Sequence, residues 1–328
     1  MTQGGQRDDD YEAYERPGRR SNRPRTKDRP DYADADIGMI ITDDRGRYRV
    51  LIADRDVSAT KARQLGRTGV IVGDQVRVVG DTSGAEGTLA RIVGVEERTT
   101  VLRRTADDDD PYERPIVANA NQLVIVTALA DPPPRVGMID RLLVAGYDAG
   151  IQPLLCLTKA DLAAPDELIA QYEPLGVPVQ VTFPGIDLDP LRERLRGHRS
   201  VFVGHSGVGK STLVNALIPG ADRAIGEVSA VTGRGRHISS SAIALRLPDT
   251  TNSWVIDTPG VRSFGLSHVS RDRIIAAFED LRVITEDCPR GCRHDDAAPE
   301  CALDIAVANG RLSAARLESF RRMLGSGQ

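Results

Sequence analysis

Residues Gly204 to Ser211 read Gly-His-Ser-Gly-Val-Gly-Lys-Ser, the G-x-x-x-x-G-K-S spacing of a phosphate-binding loop. Glycines at these intervals let backbone N–H groups turn onto phosphate oxygens, and a helix starting at the lysine adds the positive end of its dipole. In such a loop Lys210 reaches the β- and γ-phosphates, Ser211 offers its hydroxyl to Mg²⁺, and Ser206, Gly207, Val208, Gly209 and Thr212 complete the cradle. His205 fills a variable position. Further on, the apolar run NSWVID ends in Asp257-Thr258-Pro259-Gly260. A carboxylate there holds the magnesium shell through water, and the Gly260 amide senses the γ-phosphate, which makes the following residues a switch.

Base selection falls to Thr158-Lys159-Ala160-Asp161. The Asp161 carboxylate accepts from the N1 and N2 hydrogens of guanine, groups that adenine does not offer, and the Lys159 stem covers the base. GTP is therefore favoured over ATP. Asparagine is usual where Thr158 stands, so one contact to the base edge is weakened or remade. A second reading has Asp161 capping the helix in ADLAAPDEL. Thr182, in the run Val181-Thr182-Phe183, is a further candidate, placed near the guanine carbonyl.

A separate constellation lies near the carboxyl end. Cys288, Cys292, His294 and Cys301 form C-x3-C-x-H-x6-C, and three thiolates with one imidazole fill a tetrahedral Zn²⁺ shell with no open position. The zinc is expected to be structural. The fourth cysteine, Cys156, stands alone in the apolar run PLLCLTK.

These residues need elements to position them. SVFVG reads as a buried strand entering the phosphate loop, and STLVNALI as the helix leaving it, with Leu213, Val214 and Leu217 inward. From Ile116 to Arg196, strand runs (QLVIVTAL, QPLLCLT, VPVQVTF) alternate with helical segments (MIDRLLVAGYDAG, DELIAQYEPLG, DLDPLRERLRG), the pattern of a parallel sheet. Earlier, Ile37 to Arg104 holds short β-rich runs in which Tyr48, Val50 and Ile52 share one face. Several such strands predict a small barrel, an OB-fold with Arg47, Arg49, Arg77 and Arg91 outward and Tyr48 as its one candidate for base stacking. That basic face is either an RNA surface or a plain solvated one.

The expected architecture is multidomain. Residues 1–35 are a charged tail with too few aliphatics to fold, 36–104 the OB-fold barrel, and 105–115 an acidic linker. Residues 116–270 form an α/β P-loop nucleotide domain and 271–328 a helical zinc-binding domain, where Ile274, Ile275, Phe278, Leu281, Leu317 and Phe320 mark core-facing helix positions. With 328 residues, two or three domains fit. A net charge of -4 argues against coating nucleic acid by bulk positive charge and leaves only local basic patches. The charged start has no apolar signal segment, so a cytoplasmic protein is expected. Nothing in the sequence indicates an oligomer, and monomer is the default.

The order of the motifs is diagnostic. TKAD precedes the phosphate loop, which precedes DTPG, so a GTPase domain is threaded in circularly permuted order. The chain resembles the circularly permuted bacterial GTPases, on RTADDDDPYERPIVANANQLVIV, DRLLVAGYDAG, GHSGVGKSTLVNAL, TGRGRH, DTPGVRSFGL and CPRGCRHDDAAPECA. The resemblance implies a GTPase that binds the small ribosomal subunit and its 16S rRNA late in assembly, alongside other assembly factors. It also implies hydrolysis stimulated by that subunit. Its switch usually ends in RHTTT; this chain has Arg236-His237-Ile238-Ser239-Ser240, and Ile238 cannot ligate Mg²⁺. Ser239 is then the candidate hydroxyl, with Thr232 second. Val261 stands where small GTPases carry a water-orienting glutamine, so His237 is the natural substitute, or else a contact to RNA. The zinc pattern departs from the family's by one residue fewer between the first two cysteines and one more before the last. The competing function is a guanine-nucleotide-gated RNA-binding module in which hydrolysis is incidental. An ATPase is disfavoured by Asp161.

Overall fold

The computed structural model describes residues 32–66, 69–105, 112–221, 242–248, 252–260, 265–266, 269 and 271–326. Strands β1 (Asp36–Asp44), β2 (Arg47–Ile52), β3 (Arg55–Lys61), β4 (Gln75–Val79) and β5 (Ala90–Val95) lie in the order β1-β2-β3-β5-β4. Pairing of β4 back onto β1 closes the ring, and β3 runs parallel to β5, the OB-fold arrangement. Alternation drives this closure: Tyr48, Val50 and Ile52 face the interior while Arg47 stays exposed. Tyr48 is only 7% exposed, which removes it as a stacking platform, because the period that turns Arg47 and Arg49 outward turns its ring inward. Of the outward arginines, Arg49 is paired with Asp56 and Arg77 with Glu96 at 2.5 Å.

After the barrel, β6 (Val101–Arg104) and β7 (Arg114–Ala118) form a two-stranded ladder. Arg114 and Pro115, expected in the linker, lie on β7; the register shifts between Leu102 and Arg103, and Pro115 sits opposite Arg103 at that irregularity, where a residue without an N–H is tolerated. Thr105 bridges to Gly265, while Asp107 to Asp110 lie outside the described residues. Asn119, at φ 57°, ties the end of β7 back to the barrel: its amide donates to Gly73 O at 2.9 Å and its carbonyl accepts from Thr99 N at 2.8 Å.

The α/β half of the same continuous sheet, with its helices, runs through β8 (Gln122–Ala128), α1 (Val136–Asp148), β9 (Gln152–Thr158), α2 (Asp166–Tyr172), β10 (Val179–Val181), α3 (Asp189–Leu195), β11 (Arg199–Val203), α4 (Lys210–Leu217), β12 (Ile243–Arg246) and β13 (Trp254–Asp257). Its order is β10-β9-β8-β11-β13-β12, parallel except for β12, which runs antiparallel to β13 and touches β1 through Thr42 and Ile243. Every residue of β8 is buried, as expected of a central parallel strand covered on both faces. Phosphate loop, TKAD and DTPG lie at the carboxyl ends of the parallel strands β11, β9 and β13, the usual place for a ligand in an open α/β sheet.

Helices α5 (Arg271–Ala276), α6 (Glu279–Thr285), α7 (Ala302–Ala308) and α8 (Ala314–Ser326) complete the described chain. The helical spacing of Ile274, Ile275, Phe278 and Leu281 breaks at Phe278, whose φ of -114° and ψ of 88° are not helical. The break drives the Phe278 ring between Tyr147, 4.6 Å away, and Phe320, 5.5 Å away, burial that contributes roughly 2–3 kcal/mol. No helix among the described residues is long and apolar enough to cross a membrane.

Helix α8 is bound to α1 and α2 by Arg322, which donates to buried Asp140 at 3.2 Å and to Gln171 O at 3.2 Å and lies over the Tyr172 ring. Burial raises the Asp140 carboxyl above its ordinary value, against the opposing pull of Arg322. A raised value means the folded chain holds that proton more tightly than the unfolded chain, so stability falls as pH climbs from 3.8 towards the folded value. Arg322→Ala removes the opposing charge and lifts the carboxyl further. The variant is expected to lose about 2 kcal/mol near neutral pH, discounted for the part-exposed guanidinium, with the deficit shrinking on acidification as the carboxyl takes up its proton. Urea unfolding followed from neutral pH downwards checks this.

Candidate functional site

The turn from β11 into α4 depends on its glycines. A Cβ on Gly204 would lie 2.4 Å from the Val126 carbonyl oxygen of β8, and Gly207 and Gly209 hold φ of 86° and 88°, where side chains are strained. Val208 is buried and anchors the loop to the core, while Ser206, Gly207, Ser211 and Thr212 are exposed. The His205 ring packs its Nδ1 2.8 Å from Ser206 O.

Lys210 opens α4 and is 7% exposed. Its ammonium donates to the Asp257 carboxylate and to Thr258 O, the latter at 2.5 Å, so the loop lysine and the DTPG carboxylate meet in one charged, nearly dry pair. The Thr258 hydroxyl donates to Phe202 O on β11 at 2.7 Å. A Cβ on Gly260 would come within 3.3 Å of Ser206 N, so the DTPG turn rests directly on the phosphate loop. Thr258, Pro259 and Gly260 also line a 270 Å³ cleft with Ile71 and Val72 of the barrel and Arg114 of β7.

On the base side, the buried Thr158 hydroxyl donates to Val208 O at 2.5 Å. Where asparagine would offer an amide to the base edge, this residue braces the phosphate loop. Lys159, at φ 58°, donates to the Asp131 carbonyl, and Asp161 is exposed. Asp161 does not cap α2, whose N-cap residue is Pro165. Thr182 turns away from the surface: its hydroxyl donates to Leu157 O at 3.2 Å and only its carbonyl meets the TKAD loop, accepting from Ala160 N at 3.3 Å. What that loop displays is Phe183, 40% exposed. The candidates His237, Ser239, Thr232 and Val261 lie outside the described residues.

Sequence reasoning did not single out Thr258. Its one signal was its place inside DTPG, between two residues with obvious roles. Thr158→Val tests the brace on the other flank: keeping the shape but losing the donor should weaken GTP and GDP binding alike by about 5- to 10-fold, one hydrogen bond's worth, with Thr158→Ser near normal. Titration with fluorescent nucleotides reads the effect.

At the carboxyl end, the ligand atoms of Cys288, Cys292, His294 and Cys301 lie within 4.8 Å of one another. Cys288 Sγ is 4.0 Å from Cys301 Sγ and 3.5 Å from His294 Nδ1, and Cys301 Sγ is 3.8 Å from that Nδ1. Tetrahedral bonds of about 2.3 Å to sulfur and about 2.0 Å to nitrogen require S···S near ~3.8 Å and S···N near ~3.5 Å, so the donor set fits a zinc-sized dication. Gly291, at φ 77°, allows the tight turn between the first two cysteines. Ala302 N donates to Cys288 Sγ at 3.3 Å, and Arg321 holds His294 O at 3.0 Å while forking onto Asp304. Burial pushes the Cys288 thiol up to about 12 and the His294 imidazole down, so a neutral ring is favoured and a cation must supply the charge that makes thiolates stable here.

The family described as RsgA GTPase matches residues 95–267. A protein named small ribosomal subunit biogenesis GTPase RsgA from Pseudomonas aeruginosa is 40% identical over 298 residues, spanning 88% of this chain and 85% of that one. Its namesake from Pseudomonas syringae pv. tomato is 42% identical over 253 residues, 74% and 72% of the two chains. Among solved structures, YloQ, a circularly permuted GTPase, superposes with a TM-score of 0.63 at 25% identity over 90% of this chain and 96% of its own. YjeQ from Thermotoga maritima shares the fold, with a TM-score of 0.62 at 22% identity over 89% and 98%.

Proposed function

The chain belongs to the RsgA GTPase family and is a GTP hydrolase, and from this premise we propose that its cycle serves biogenesis of the small ribosomal subunit. The observation that carries the reading is the meeting of two separated segments on one loop: Thr158 on Val208 O, and Asp257 and Thr258 on Lys210. In this reading the base lies against Lys159 and Asp161 and the phosphates along Gly204 to Thr212. Lys210 exchanges Asp257 for phosphate oxygens, and Ser211, Asp257 and Ser239 hold Mg²⁺. Magnesium supplies neutralising charge at the phosphate oxygens. His237 orients the attacking water, a task that Val261 cannot perform.

The Cys288, Cys292, His294 and Cys301 set holds one structural Zn²⁺ in this reading. The partners are the small subunit and its 16S rRNA, met by the barrel's outward face, together with GTP, GDP and other assembly factors, in the cytoplasm and as a monomer. Turnover measured with and without purified small subunits tests the proposal: stimulation supports it, and equal rates would favour the nucleotide-gated RNA-binding module. His237→Ala is expected to keep GTP affinity within about 2-fold while losing the stimulated part of the rate, on the order of 10²-fold. Full stimulation in that variant would remove His237 from the mechanism.

A further inference from the structure

We infer that Thr258 is a positioning residue for the phosphate-loop lysine, an inference that rests on the GTP reading of the loop. Lys210 has two acceptors of different kinds. Asp257 carries a charge that incoming nucleotide and cation compete for. The Thr258 carbonyl is neutral and stays available through that exchange. Lys210 therefore keeps one fixed partner while the other is replaced, provided that the carbonyl itself stays in place.

Its place is set by the side chain of the same residue. The backbone ladder between β11 and β13 ends at Phe202 and Asp257. One residue later the Thr258 hydroxyl donates to Phe202 O at 2.7 Å and adds a side-chain link just past the end of the ladder. Thr258 is 2% exposed, so no water shares that bond's work from the surface. Pro259 comes next and has no N–H to contribute, so the hydroxyl adds a tie between the start of the DTPG turn and the strand that feeds the phosphate loop. The consequence is a closed circuit: Phe202 O holds the Thr258 hydroxyl, Thr258 O holds Lys210 Nζ, and Lys210 begins the helix that leaves the loop fed by the Phe202 strand.

Thr258→Val preserves the β-branched shape and deletes only the hydroxyl. The carbonyl is then free to swing, and the lysine with it. An ångström-scale misplacement of a charge at the reacting phosphate lowers the rate on the order of 10- to 100-fold. The expected result is a fall of that size in kcat for GTP with KM and GDP affinity held within about 3-fold, and recovery in Thr258→Ser, which restores the donor. Melting temperatures recorded on the same samples separate positioning from unfolding. Wild-type turnover in Thr258→Val, a parallel loss of GDP affinity and melting temperature, or a failure of Thr258→Ser to recover would each overturn the inference while leaving the GTP reading intact. Absence of GTP turnover in the wild type, with and without small subunits, would instead overturn the GTP reading and this inference with it.

Discussion

Lys210→Ala is expected to lower GTP turnover on the order of 10²- to 10³-fold, the effect of removing a preorganised charge from a site where negative charge develops. It also leaves a mark on stability. Lys210 and Asp257 are paired at 8% and 14% side-chain exposure, so deleting the ammonium strands a carboxylate with little water around it. That orphaned charge is expected to cost about 3 kcal/mol in the free protein. The double variant Lys210→Ala, Asp257→Ala should then be more stable than Lys210→Ala alone, because the second change removes the stranded group. Rapid-quench turnover and urea unfolding on the three proteins read both parts. Near-normal turnover in Lys210→Ala would refute the phosphate-loop assignment. Additive stability losses would refute the pairing.

Cys301→Ala carries the second large effect. Cys301 is buried, supplies one of the four donors, and immediately precedes α7. With three donors left, the metal shell opens and the turn between Cys288 and Ala302 loses its cross-link. The expected result is loss of bound zinc together with roughly 4 kcal/mol or more of stability in the carboxyl-terminal helices. The sheet around the phosphate loop has its own buried cluster, which includes Val124, Phe202, Val214 and Val255, so guanine-nucleotide binding should survive at moderate temperature. Metal content by absorption spectroscopy and a melt followed by circular dichroism test the pair of claims. A variant that keeps its metal and its melting profile would show that the four residues are not a metal shell.

The legible parts of this molecule are those whose physics is local. The phosphate loop can be read from the chain because its glycines answer to φ values of 86° and 88° and to a carbonyl 2.4 Å from a would-be Cβ, demands that no other residue type meets. The cluster of possible metal ligands is legible because C-x3-C-x-H-x6-C brings donors together through short turns. Strand alternation in RYRVLI put Tyr48, Val50 and Ile52 on one face, and that same alternation argues against Tyr48 as a stacking surface. The break at Phe278 was not legible, because its helical spacing is sound by itself and only the Tyr147 and Phe320 rings, from distant helices, reward leaving the helix.

The amino-acid sequence by itself determined the chemistry carried by each motif, the order in which the motifs occur, and hence the permuted threading. The tertiary structure alone decided which atoms those motifs present to one another. Thr158 and Val208 are 50 residues apart, and Thr258 and Phe202 are 56 apart. A hydroxyl has no preferred partner along the chain at such separations; it bonds to whichever carbonyl the packed strands bring within reach. For that reason Thr182, chosen for the base, turns to Leu157 O, while Thr158 takes hold of the phosphate loop and Thr258 of the strand that feeds it.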